Sequence, residues 1–192
     1  MMRAVMTAVL SLFYILYFVR MLMLRSQGIT GNLLGKGDKP RSALRIELAL
    51  RAATLAGGLI QFGSVLLPIP AWPFREWFPL QVIGSILAFA GFIFFAIAIA
   101  TMRNNWRAGF TKNQNTELVT KGIYKISRNP AFVGFDLLYL GCATAFPNLL
   151  NIAVALASLF LFHWQILGEE NYLTETFGEK YVRYMGSTRR YL

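Results

Sequence analysis

The sequence predicts an all-helical integral membrane bundle of about five transmembrane segments, the last two forming a helical hairpin. Three observations predict it. The 192 residues are 56% hydrophobic and only 15% charged, whereas a soluble domain carries about a quarter charged residues. The apolar residues gather into five stretches near the length of a bilayer-crossing helix, at residues 4–24, 46–69, 79–102, 131–146 and 149–167. The basic residues gather between those stretches, which fits the charge bias of cytoplasmic loops.

Lipid offers no partner for a free N–H or C=O, so each stretch must close its own backbone hydrogen bonds as a helix. The first is too long an apolar run for a signal peptide and lacks a convincing small-residue cleavage site before Arg25, so it reads as a span. The second and third flank the run PAWPFREWFP, whose Trp72 and Trp77 suit a membrane interface. The fourth is short and meets the fifth through Pro147 and Asn148 alone, which folds the pair back as an antiparallel hairpin that can tilt or sit partly sunk. Domain organisation is correspondingly simple. Residues 1–192 form one membrane domain, with three N-terminal spans over 1–102 and a more polar region over 103–192.

Of the nineteen Lys and Arg, five lie between Arg25 and Arg45, six between Arg103 and Arg128, and four after Leu167. That asymmetry places both long loops and the C-terminus in the cytoplasm and the N-terminus outside. The formal charge of +10 is then a matter of topology, and nucleic acid is not needed as a partner. A single cysteine, Cys142, and a single histidine, His163, leave no internal disulfide, no Cys/His metal site and no Cys-His catalytic pair; no metal is expected. The Gly-rich basic segment RSQGITGNLLGKGDKPR reads as a flexible, solvated cytoplasmic loop or a lipid-headgroup contact.

Polar residues converge at one end of the hairpin. Asn129 stands where it would cap the fourth helix, and Pro130 fits its first turn because proline has no donor to leave unpaired. Glu169 and Glu170 follow the fifth stretch directly, and Arg128 or a bound cation can neutralise them. An antiparallel hairpin brings Asn129 and Glu169 to the same cytoplasmic end. The plain alternative is that Asn129 is only a cap and the two acids only the solvated first turn of a tail helix.

At these residues the chain resembles the isoprenylcysteine carboxyl methyltransferases and, more broadly, the related membrane phospholipid methyltransferases. The matching pieces are NNW at 104–106, LVTKGIY at 118–124, RNPAF at 128–132, GEENYL at 168–173 and FGEKYVRY at 177–184. The resemblance implies a multi-span enzyme whose loop, hairpin ends and tail wrap S-adenosylmethionine while a lipophilic small-molecule or lipid acceptor arrives sideways from the bilayer. It implies cofactor contacts at Thr116, Glu117, Leu118, Val119, Tyr124, Asn129, Pro130, Ala131, Phe132 and Glu169, with Glu170 as neighbour in the paired-acid motif. The residue types suit that ligand: an acid can pair with its cation or hydroxyls, Tyr124, Phe132 and Trp106 can pack on adenine or the sulfonium, and helix-start donors can take its carboxylate.

Two positions depart from the family. Asn129 stands where histidine is common and cannot take up a proton near neutral pH. Gln165 stands four residues before Glu169, where the prenylcysteine enzymes place an arginine toward the acceptor carboxylate, and the missing bidentate cation weakens the case for such an acceptor. The candidate catalytic set is therefore Glu169, Glu170, Gln165 and Asn129, and the acceptor side is Gln165, Asp136 and His163. For an amine acceptor, Asp136 or Glu170 would be the base; otherwise Arg51 or Arg20 would neutralise Asp136, and His163 would be a satisfied intramembrane histidine. Gly84, Gly91, Gly134 and Gly141 recur every seven residues, which suits close helix packing or self-association into a homo-oligomer. A phospholipid or amine N-methyltransferase, an NADPH-dependent membrane reductase and a non-catalytic lipid-binding scaffold are the competing readings.

Overall fold

The computed structural model describes residues 1–67, 76–111 and 117–192. Within them the chain forms six α-helices: α1 (Met2–Ser26), α2 (Arg41–Leu66), α3 (Phe78–Met102), α4 (Pro130–Ala145), α5 (Leu149–Phe177) and α6 (Glu179–Ser187). Four of them, α1, α2, α3 and α5, are long and apolar enough to cross a membrane. The 16 residues of α4 span about 24 Å at 1.5 Å per residue, short of a ~30 Å hydrocarbon core. The predicted short fourth segment is thus a helix that falls short of a full crossing, and the molecule is a multi-pass membrane bundle. Trp77 is 62% exposed at the start of α3, as suits an interface anchor; Trp72 and Arg75 lie outside the described residues.

α5 is the main departure from the expected boundaries. Hydropathy ends the fifth stretch at 167, yet the helix runs on through both acids to Phe177, 29 residues in all. Nothing in GEENYLTETF except Gly168 opposes a helix, and one interior glycine costs only about 1 kcal/mol. The helix stops where Gly178 turns to φ 54°, a conformation that favours glycine. At its other end Asn148 caps α5, its Oδ1 accepting from Asn151 N at 3.0 Å.

The glycine repeat joins α3 to α4 within one chain. A Cβ on Gly91 would come within 2.5 Å of the Gly134 carbonyl oxygen, and one on Gly134 within 2.8 Å of the Gly91 oxygen. One heptad along the seam, Gly84 and Gly141 meet in the same way. Without side chains the two backbones approach closely enough for dispersion to hold them, the usual solution where lipid supplies no hydrophobic drive. Against this seam Phe13 of α1, Phe95 of α3 and Phe135 of α4 form one aromatic knot, with ring centroids 4.7 to 5.2 Å apart. Large apolar side chains such as Leu59, Ile86 and Phe160 remain exposed on the outside, where the bilayer takes the place of water.

Segment 27–40 between α1 and α2 is not the solvated loop its composition suggests. Leu33, Leu34 and Lys39 are buried, and the strand-like stretch around Asn32 pairs with the loop after α3 through Leu33 N to Ala108 O at 2.8 Å and Ala108 N to Gly31 O at 2.9 Å. Backbone pairing satisfies the polar groups that would otherwise keep such a segment in water.

Candidate functional site

The site lies where α4 begins and α5 leaves the apolar zone. Pro130 opens α4, and Asn129 holds the position before it, but the Asn129 side chain does not cap the helix. Its Nδ2 donates instead to Glu170 Oε1 at 3.4 Å and to the Arg190 carbonyl at 3.2 Å. Arg128 donates to the same Oε1 from Nη2 at 2.8 Å and Nε at 3.1 Å, while Arg190 grips Oε2 from Nη2 at 2.8 Å and Nε at 3.0 Å. Arg128 also reaches the Thr188 carbonyl at 2.6 Å, and Arg128 N bonds the Arg189 carbonyl at 2.9 Å. Glu170 is thus the hub that ties the start of α4, the middle of α5 and the tail after α6 together.

Glu169, one residue away, points elsewhere, because successive helical residues are 100° apart around the axis. It lines a cavity of about 330 Å³, within the size range of small-molecule sites. Its Oε1 accepts from Gln165 Nε2 at 3.0 Å, and the same amide nitrogen lies 3.3 Å from Glu47 Oε1 on α2. Glu47 is fully buried and pairs with Lys39 at 2.7 Å. One amide with two N–H donors therefore bridges two carboxylates. Lys39 balances Glu47, and Glu169, like Glu117, is left as a cavity acid without a cation paired to it among the described residues. Lys39 also sits 4.9 Å from the centre of the Phe110 ring, which stacks on Tyr172 at 5.0 Å. Gly109 enables this packing: at φ 84° it lies so close that a Cβ would meet Glu47 Oε1 at 3.1 Å.

From that polar end the cavity runs past Trp106, Phe132 and Phe135 to a mouth between α1 and α2, where Phe18, Arg51 and Leu55 line it. Phe18 and Leu55 are exposed as well, so the mouth opens on the apolar outside. Tyr124 and Tyr184 close the tail side, the Tyr184 hydroxyl donating to the Tyr124 carbonyl at 2.5 Å. Burial raises the Tyr124 phenol and pushes that of Tyr184 up to about 12, so both stay protonated at neutral pH.

The predicted residues divide accordingly. Glu117, Leu118, Val119, Tyr124, Asn129, Ala131, Phe132, Gln165 and Glu169 all line the cavity. Pro130 is buried beside it as the first residue of α4, and Thr116 lies outside the described residues. Three more predicted residues lie off the cavity. Glu170 is held by two arginines off the cavity, which leaves it neither a free base nor a solvated turn. Asp136 pairs with neither Arg51 nor Arg20 and does not line the cavity; its Oδ1 is buried without a hydrogen-bond partner among the described residues. Arg20 instead donates to the Arg103 carbonyl and to Asn104 Oδ1. His163 also lies off the cavity, its Nδ1 2.6 Å from the Tyr191 hydroxyl, as the satisfied histidine of the plainer expectation. The sequence reading missed Lys39 and Glu47; the available signal was a carboxylate at the threshold of an apolar stretch, which rarely stands without a partner.

The residues fit a cationic, aromatic cofactor. Glu169 offers an anion, and Tyr124, Trp106 and Phe132 offer faces for a ring or an onium group. Tyr172 lines the cavity with a buried hydroxyl that has no partner among the described residues, an unmet capacity a bound hydroxyl or carboxylate would fill.

Comparison with known proteins gives a consistent picture. The family model described as phospholipid methyltransferase matches residues 80–180, from α3 through α5 into α6. The chain is 35% identical over 74 residues to protein-S-isoprenylcysteine O-methyltransferase B of Arabidopsis thaliana, covering 38% of each protein. It is 29% identical over 119 residues to the protein-S-isoprenylcysteine O-methyltransferase of Dictyostelium discoideum, covering 60% of this chain and 50% of that one. With the Schizosaccharomyces pombe protein of the same name it shares 38% identity over 76 residues, 38% of this chain and 31% of its relative. The matches thus span half or less of these relatives' own lengths.

Proposed function

Because the chain belongs to the phospholipid methyltransferase family, whose model covers more than half of it, we propose that it is an integral membrane methyltransferase that uses S-adenosylmethionine and methylates a lipophilic acceptor, a prenylcysteine carboxylate foremost. The observation that carries this reading is a single cavity joining the acid Glu169 to an apolar mouth between α1 and α2. A charged nucleoside and an oily acceptor can meet there without the acceptor leaving the bilayer.

S-adenosylmethionine, when bound, supplies a methyl group already activated on a sulfonium, so neither a metal nor a covalent enzyme intermediate is required. The protein's part is to bind, orient and keep water away. Glu169 takes the cationic side of the cofactor and is itself oriented by Gln165. Asn129 presents its side to the cavity while its amide is held by Glu170 and the tail. Tyr124, Trp106 and Phe132 supply the aromatic wall. A carboxylate acceptor arrives ionised and needs no base. The distribution of lysine and arginine supports a cytoplasmic site with the N-terminus outside.

An amine acceptor is the second reading, and the observation favouring it is Gln165 in place of a cation beside Glu169. Calorimetry of the purified protein in detergent with S-adenosylmethionine and with NADPH tests the cofactor. Heat with the first alone is the expected result; heat with NADPH alone selects the reductase, and silence with both selects the scaffold. Incorporation of radiolabelled methyl into prenylcysteine analogues and into aminophospholipids then separates acid from amine.

A further inference from the structure

Among the described residues three arginines line the cavity: Arg51, Arg107 and Arg128. Two are occupied. Arg128 is held by Glu170 and by the Met185 and Thr188 carbonyls, and Arg107 donates to the Asn104 and Trp106 carbonyls. Arg51 has no side-chain hydrogen bond and no ion pair among the described residues. It sits on α2 near the start of the apolar stretch at 46–69 and is exposed, and a guanidinium at a membrane-facing position normally has a cavity, water or an anion to receive it. Its neighbours in the cavity wall complete a recognition surface. Leu55, one turn further on, and Phe18 across the mouth are exposed and apolar, and Thr54 adds a hydroxyl.

We propose that Arg51 is the specificity-determining residue that receives the carboxylate of the acceptor at the mouth between α1 and α2, in place of the cation that Gln165 does not provide. The inference rests on the methyltransferase reading and deepens it. The cavity then presents Glu169 to a cationic cofactor and Arg51 to an anionic acceptor whose chain lies along Phe18 and Leu55. The guanidinium fork matches a carboxylate in two parallel hydrogen bonds and distinguishes it from a neutral ester or an amine. An acceptor recognised this way also loses its grip once methylated, since the ester carries no charge.

The test compares two probes on the full-length protein in detergent, with S-adenosylmethionine binding measured first. One probe is an S-farnesylcysteine with a free carboxylate and the other is its methyl ester. The parent should bind the acid at least about tenfold more tightly than the ester. Arg51→Gln should bring that ratio to about one while S-adenosylmethionine binding is unchanged, and Arg51→Lys should keep an intermediate preference. A preference retained in Arg51→Gln overturns the assignment. So does a parent that shows no preference. A parent that binds no S-adenosylmethionine defeats the methyltransferase reading instead, which keeps the two failures apart. Unchanged cofactor binding in Arg51→Gln reports that the variant is folded, and the acid-to-ester ratio is a readout that a merely structural role would not move.

Discussion

On one flank of α5, Glu170 lies between Arg128 and Arg190 with every carboxylate oxygen engaged; on the adjoining flank, Glu169 faces the cavity with a single amide donor from the protein. The two acids are neighbours in sequence and identical in type. Their roles separate because the helix turns 100° between them and because a tail residue, Arg190, arrives on one side only. The contrast teaches that a paired-acid motif can join a structural hub to a ligand-facing group, and that the surroundings, more than the motif, assign the work.

The largest expected effect tests the structural side. Glu170→Ala would leave two arginines at the corner without their anion, one of them buried, and removing one partner of such a cluster costs about 3–5 kcal/mol. Thermal unfolding in detergent should show a large drop in midpoint, with cofactor binding lost alongside the fold. A variant of normal stability would erase the distinction between the two acids. Next, Glu169→Ala should lower S-adenosylmethionine affinity by roughly 10- to 100-fold, the range of a lost charge-assisted hydrogen bond, while the melting midpoint stays put. Unchanged affinity by calorimetry would remove Glu169 from the site. Gln165→Ala takes one donor from each of two carboxylates and should weaken cofactor affinity less, several-fold, with about 1 kcal/mol of stability lost. Equal binding in parent and variant would mean that Gln165 does not orient Glu169.

The smallest effect concerns the tail side of the cavity. Tyr184→Phe removes the hydrogen bond to the Tyr124 carbonyl and should cost about 1 kcal/mol. The same tyrosine predicts an alkaline signature. Its phenol is pushed up to about 12 in the folded protein against an unfolded value near 10, so its contribution is complete below pH 10 and disappears as pH rises toward 12. An alkaline unfolding curve whose slope in that window is reduced in Tyr184→Phe supports the assignment; an identical slope counts against it.

Much of this architecture is legible in the chain because lipid enforces a simple rule, that an apolar run must be a helix. The hairpin through Pro147 and Asn148 likewise made the meeting of Asn129 with the acids foreseeable. What hydropathy could not reveal depends on groups far apart in sequence. Composition alone makes segment 27–40 resemble a solvated loop, since its packing comes from pairing with Ala108 and from the Lys39–Glu47 bond. The boundary of α5 was hidden because its last turns are polar, although Gly178 marks the true stop. Arg190 carried no local signal, being one of two adjacent arginines in a basic tail. Asn129 was misjudged for a related reason: the residue type fits a cap, and only the tail carbonyl shows why its amide turns away.

The grip of Arg190 on Glu170 orders the protein's own assembly. Arg190 follows Glu170 by 20 residues, so a nascent chain that has made only Arg128 and Glu170 holds its acid with half the eventual counter-charge. The corner locks only once Arg190 is in place, and until then the spans can insert while the nucleoside nook stays unlatched.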